Sequence, residues 1–245
     1  MKSTCAAALA GLVLSSCTGN TLIPEPQRVQ IKDELVGHAR YLRVACWVTP
    51  FFHDDGKLLL TDQAPDELDL VDRPNGTPVN PGDAIGILPV GTRLRIDAIS
   101  FPTALEMADR LVMTPRYNPW VLLLPPEQFG SSVKPYVMVL RPDLRSHDEF
   151  VQDLGRFLTE TDPTPELKGF AAPVQAAIAK KTLAPGMTPR QVEMAWGYPE
   201  HIHIDGPTRA QTWTWPNDKQ RAWFTSDALV HWTDHGKGGG LDAQN

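Results

Sequence analysis

Residues 185–199 read Pro-Gly-Met-Thr-Pro-Arg-Gln-Val-Glu-Met-Ala-Trp-Gly-Tyr-Pro, and they specify a short helix at both of its ends. Thr188 is a favoured N-cap, Pro189 suits the first helical position, and Gln191 completes the capping-box spacing. Gly197 can adopt a positive φ and end the last turn, and Pro199 cannot continue the helix. Val192, Ala195 and Trp196 form its apolar stripe. So much local specification in so few residues marks a structural keystone or a site.

The segments that follow alternate. In 201–205 the pattern points Ile202 and Ile204 toward a core and His201, His203 and Asp205 outward; in 211–215 it puts Trp213 and Trp215 on one face. Residues 221–225 and 228–232 read as further strands, and the glycines from 236 onward predict a flexible tail, 236–245. Before the keystone, a helix from about Pro173 to Lys181 should bury Val174, Ala177 and Ile178, with Lys180 and Lys181 complementing the dipole of its last turn.

Gly186, Met187, Thr188, Val192, Trp196, Gly197 and Pro199, followed by the Trp-rich segments 212–215, 222–224 and 229–232, resemble the SmpA/OmlA (BamE-like) lipoprotein domain. The resemblance covers 170–235. It implies two helices on a three-stranded antiparallel sheet. The family includes the small lipoprotein of the outer-membrane β-barrel assembly machinery, which stabilises that complex and does no chemistry. Trp196 stands where the family commonly has an aliphatic residue, and a long additional part precedes the domain.

The N-terminus carries a second strong signal. A basic start, a short apolar run and small residues lead to Cys17; the run is too short to cross a bilayer and reads as a secretory signal over 1–16. Leu14, Ser15, Ser16 and Cys17 resemble the lipobox of bacterial lipoproteins, which implies acylation of Cys17, palmitate included. Several acyl chains anchor stably where one is marginal. Thr18, in place of the Asp common in inner-membrane lipoproteins, points to the periplasmic face of the outer membrane. With Cys5 removed and Cys17 acylated, Cys46 is left alone and is expected to be a buried, inert thiol. Residues 17–29 read as a tether lifting the fold off the membrane.

Between these lies a β-rich part, 30–145, and a helical connector, 146–169. Seven Trp and 23 Pro suggest short strands and aromatic packing. Residues 41–48 alternate, with Leu42, Val44, Cys46 and Val48 on one face. Residues 92–99 form the clearest strand, with Leu94, Ile96 and Ala98 on one face. The turn at Gly91 leading into it has an SH3-like look. Residues 120–124 and 136–140 read as central buried strands. Thr103 caps a short helix running through Arg110, and His53, Asp54 and Asp55 read as a polar hairpin turn. Ser146 should open a helix placing Phe150, Val151, Leu154, Phe157 and Leu158 on one face. The fold class is therefore α+β.

For function, the −6 net charge argues against nucleic acid and against electrostatic docking on anionic lipid. Arg116, Tyr117 and Trp120, on a Pro-fixed loop, are residue types that dominate interfaces and form a candidate partner-binding site. Nucleophile motifs, phosphate loops and haem motifs are absent, so no catalytic residue, metal or cofactor is expected. The reading is a non-catalytic, outer-membrane-anchored interaction or scaffolding lipoprotein that binds envelope proteins. Two alternatives stay open: a peptidoglycan-binding lipoprotein using an SH3-like module, and a zinc-dependent hydrolase centred on His201 and His203, with Asp205, His231 or His235 as further ligands.

Overall fold

The computed structural model describes residues 21–125, 133–234 and 237–240. Cys17 and the signal segment lie outside the described residues. The architecture is α+β. It comprises helices α1 (Glu25–Leu35), α2 (Ala104–Ala108), α3 (His147–Leu154), α4 (Thr164–Lys168), α5 (Ala172–Ala179) and α6 (Pro189–Trp196). The strands are β1 (Ala39–Leu42), β2 (Cys46–Phe51), β3 (Asp54–Thr61), β4 (Gly86–Leu88), β5 (Arg93–Ser100), β6 (Trp120–Leu124), β7 (Tyr136–Val139) and β8 (Leu158–Thr159), then β9 (His201–Ile204), β10 (Gln211–Thr214), β11 (Gln220–Thr225), β12 (Ala228–Asp234) and β13 (Lys237–Gly240).

The first sheet has eight strands in the order β4-β2-β3-β7-β6-β5-β1-β8, with β3 and β7 parallel and its other pairs antiparallel. It is larger than the small SH3-like barrel expected, and its one parallel pairing needs a crossover that hairpin-linked barrels lack. β7 and β6 lie at its centre as their continuous apolar runs predict. Met138, Val121 and Leu123 enter one core while Val137 and Trp120 enter another on the opposite face. A strand covered on both faces gains nothing from alternation.

The alternating run 41–48 does bury Leu42, Val44, Cys46 and Val48, yet it serves two strands. β1 pairs with β5 and β8, while β2 pairs with β3 and β4. At the break, Arg43 N–H donates to Phe157 O and Ala45 N–H to Met194 O, each at 2.8 Å. In β5 the register shifts between Ile96 and Ala98, so Ile99 takes the inward position expected of Ala98. A bulge of this kind inverts the alternation downstream. The 53–55 hairpin forms, with its turn at Phe52 and His53; Asp54 already belongs to β3, where its carboxylate caps Gly56 N–H and pairs with Lys57.

The tether reading is corrected. The fold is organised from residue 21, and α1 begins at Glu25, inside the segment 17–29 expected to be irregular. Pro24 and Pro26 fall at the N-cap and in the first turn, where the backbone N–H groups have no helical partner to lose. Ile23, Ile31 and Leu35 then enter the core. α3 is also shorter than expected. It ends at Leu154, Val151 is 38% exposed, and Leu158 leaves the helical face to pair with Leu42 in β8. The connector thus belongs to the first sheet.

His147 ties α1 to α3. Its ring nitrogens meet Glu34 at 2.6 Å and Asp148 at 2.9 Å. Hydrogen bonds to Asp148 and Glu34 raise the His147 pKa above 6.5, and bonds from Gln30 and His147 lower that of Glu34 below 4.5. A raised His contributes stability below its unfolded value and loses it as pH rises through its folded one. A lowered Glu contributes above its unfolded value and loses it as pH falls through its folded one. The bridge is therefore complete between 4.5 and 6.5. Thermal unfolding across pH should show wild-type stability declining more steeply above that window than His147→Gln, which lacks the titrating group.

The second sheet is a five-stranded antiparallel meander, β13-β12-β11-β10-β9. It exceeds the three strands expected, because β9 and β13 extend both edges. β13 runs over 237–240, inside the segment expected to be a flexible tail. Ile202 and Ile204 are 51% and 57% exposed rather than in a core, because β9 is an edge strand of the sheet. α6 is buried along Val192, Met194, Ala195 and Trp196. Its capping box forms as its sequence dictates: Thr188 Oγ accepts from Gln191 N–H while Gln191 Oε1 accepts from Thr188 N–H. Trp196, Trp213 and Trp215 pack with Phe224, the Trp196 and Trp215 rings meeting edge-to-face at 5.2 Å. Ala45 and Val90 of the first unit lie in this same core.

Candidate functional site at the junction of the two units

The junction is built by the end of α6. Gly197 adopts φ 83°, which a side chain rarely tolerates, and its carbonyl accepts from Trp215 Nε1–H at 3.3 Å. A Cβ on Gly197 would collide with the carboxylate of Asp62, just beyond β3. This close approach brings the two units together and delivers Tyr198 and Pro199 to the surface between them.

Tyr198 sits between two arginines. The guanidinium carbons of Arg43 and Arg156 each lie 5.6 Å from its ring centroid, within cation–π range, and Arg156 also donates to Tyr198 O at 3.3 Å. Asp153, only 3% exposed, accepts from Arg141 N–H and Nε–H at 3.2 and 3.1 Å, and its carboxylate lies 3.7 Å from the Arg156 guanidinium. A cavity of about 510 Å³ opens here, lined by Arg43, Arg141, Arg156, Asp153 and Tyr198. Beside it, sharing Arg141, Arg156 and Tyr198, lies a second of about 320 Å³ with Leu140, Pro199 and Trp215 in its wall. Burial pushes the Tyr198 phenol up, helped by the nearby Glu193, so the ring is neutral. The lining of the larger cavity carries three guanidinium groups and one carboxylate, with Asp143 3.9 Å from Arg141 and Glu193 beside Arg43 and Tyr198 offsetting part of that charge. A concave, guanidinium-rich site next to a partly apolar slot favours a polar ligand with an apolar side. Among the described residues lining these two cavities there is no Ser, Thr, Cys or His.

Behind the groove, Lys181 corrects a second expectation. It does not lie in the last turn of a helix complementing the dipole. It has φ 52°, is 6% exposed, and donates from Nζ to Ala45 O at 2.7 Å and Ala195 O at 2.8 Å. Its own carbonyl accepts from Trp196 Nε1–H at 3.1 Å. One side chain thus links the β1–β2 break, α6 and the turn after α5. Burial lowers the Lys181 pKa and raises that of nearby Asp62, while the attraction between the two groups opposes both shifts. Cys46 is buried as expected, and burial pushes its thiol up to about 12.

The interface candidates from the sequence are distributed differently. Trp120 is 4% exposed, stacked under Arg110 at 3.9 Å, edge-on to Phe51 at 5.0 Å, and bonded through Nε1–H to Pro115 O. Arg116 donates to Met107 O at 2.6 Å, and Tyr117 alone of the three is exposed, at 57%. His201 and His203 share one face of β9, Asp205 accepts from Thr208 N–H, and the His231 ring lies 4.9 Å from Trp223. His235 lies outside the described residues. Among the described residues, no three His, Cys, Asp or Glu side chains gather as metal ligands.

The groove residues Arg43, Arg141 and Arg156 carry no shared spacing that sequence reasoning could have found. The one available signal was the keystone stretch itself, which ends in Tyr198 and Pro199. Comparisons of the chain with protein-family models, with curated proteins and with solved structures found no match.

Proposed function

We propose that this chain is an outer-membrane-anchored periplasmic lipoprotein acting as a non-catalytic interaction module, with the groove between its units as the docking site for an envelope protein. The observation that carries the reading is the guanidinium-rich basin of Arg43, Arg141 and Arg156 beside Tyr198, adjoining a partly apolar slot. Such a site binds and orients; it offers guanidinium donors suited to a carboxylate and no nucleophile paired with a base. The C-terminal unit is read as a BamE-like domain in which α5, α6, β10, β11 and β12 supply the family's two helices and three strands, with β9 and β13 as added edges. That reading favours a place in outer-membrane assembly.

A photo-reactive residue at Gln152, on the wall of the basin, tests this in intact envelopes. The expected result is a discrete protein adduct that is absent with the probe at exposed Asn75 and is lost when Arg43→Glu and Arg156→Glu reverse the charge of the basin. Equal, diffuse labelling from both positions would remove the groove as a docking site.

A further inference from the structure

A second surface lies beside the point where the chain leaves for the membrane. Thr21, the first described residue, donates its N–H to Pro102 O at 3.2 Å. Pro102 leads directly into α2 and the loop ahead of β6, and this segment holds a concentration of exposed apolar side chains. Leu105 is 78% exposed, Leu111 49%, Val112 69% and Tyr117 57%; Leu22, next to Thr21, is 53% exposed. The segment is not loose. Arg110 anchors it from within, donating to Arg116 O and Asn118 O at 2.7 Å and to Ser100 Oγ at 2.6 Å, while Thr114 Oγ1–H donates to Leu111 O at 2.7 Å. Lys32 of α1 closes the other side by pairing with Glu106 at 3.3 Å. Four exposed apolar side chains thus fall within one internally anchored segment, 105–117, a concentration that suits a contact surface.

The length of chain to the anchor identifies what covers it. Four residue steps separate Cys17 from Thr21, a reach of at most roughly 14 Å. A chain of this size has a radius of gyration of about 18 Å. An acylated Cys17 therefore keeps the region around Thr21 close to the lipid surface. That region includes Pro102, which accepts from Thr21 N–H and opens the 102–117 segment. We propose that Leu105, Leu111, Val112 and Tyr117 form a membrane-contact surface that dips into the lipid interface beside the acylated N-terminus. The proposal rests on the lipoprotein reading of Cys17. Aliphatic tips with a tyrosine at their margin match the chemistry of the interface. Tethering makes the contact intramolecular, so a small apolar area suffices where it would bind little from solution. Glu106 and Asp109 balance Arg110 and Arg116 within the segment, so the attraction is to acyl chains and not to anionic headgroups. The contact also fixes the orientation of the fold on the membrane.

The test uses the full acylated protein in phosphatidylethanolamine and phosphatidylglycerol vesicles, with an environment-sensitive dye on Val112→Cys or, as control, Ile202→Cys. Cys46 is buried and does not compete for label. The expected result is a blue-shifted Val112 label quenched by lipids carrying spin labels on their acyl chains, with the Ile202 label unquenched. Quenching should persist in purely zwitterionic vesicles and at high salt. A Gly/Ser spacer inserted between Thr18 and Gly19 should abolish it while the protein still floats with vesicles. An acylated, floating protein whose Val112 label behaves like the Ile202 label overturns the membrane contact and leaves the anchor standing. A protein whose Cys17 is found unmodified by mass spectrometry, and which does not float, overturns both.

Discussion

Gly197→Ala is expected to destabilise the protein by about 3 kcal/mol or more, the largest effect of any single methyl added to it. Two costs combine. The backbone is held at φ 83°, where a side chain is strained by about 1–3 kcal/mol. The new Cβ also lands on the Asp62 carboxylate, which is itself only 9% exposed. Relief by movement would separate the α6 end from the first unit and withdraw Tyr198 from the arginines. Denaturant unfolding of the soluble form, starting at residue 18, measures the loss. The carboxylate part of the collision is isolated by repeating the substitution in an Asp62→Ala background: there Gly197→Ala should cost less, with the backbone strain and the contact with the residue 62 Cβ remaining. Equal costs in both backgrounds would show that Asp62 does not press on Gly197.

Lys181→Met should cost about 3 kcal/mol, for a different reason. Methionine fills the same space, but Ala45 O and Ala195 O lose their shared donor inside the protein, and a buried acceptor left unmade costs about 1–3 kcal/mol. Both carbonyls belong to the seam between the units. The variant should therefore expose the seam before it unfolds either unit. Native-state hydrogen exchange should show faster exchange at the Ala45 amide, which bonds Met194 O across the seam, with the β6–β7 amides little changed. Uniform acceleration throughout would place the role of Lys181 elsewhere.

Both predictions concern residues whose roles were only half visible in the amino-acid order. The caps at Thr188 and the stop at Gly197 are local chemistry, and they were legible because a helix end satisfies its own N–H and C=O groups within a few residues. The Trp alternation of 211–215 was legible because Trp213 and Trp215 face a core that no other pairing could supply. The run 41–48 shows the limit. Its period of two gave the inward residues correctly, yet it could not say that β1 and β2 bond to different neighbours, since that choice is made by Phe157 and Met194 from distant segments. β9 failed for a related reason. Ile202 and Ile204 alternate like core residues, but an edge strand buries a face only if something packs on it. The first-turn prolines of α1 read as linker because proline in a first turn and in an irregular segment looks the same without the burial of Ile31 and Leu35.

The candidate site was the least legible part. Arg43, Arg141 and Arg156 come from the β1–β2 break, the end of β7 and the end of α3, each unremarkable where it stands. The sequence by itself determined what is local: the caps of α6, the inward faces of the clearest strands and the acid balance. Only the tertiary structure decided what depends on meeting. It set Gly197 against Asp62, turned Lys181 inward, gathered Arg43 and Arg156 around Tyr198 and placed Thr21 against Pro102. The reason is that capping and alternation are energies of neighbours in the chain, whereas burial and charge clustering are energies of neighbours in space.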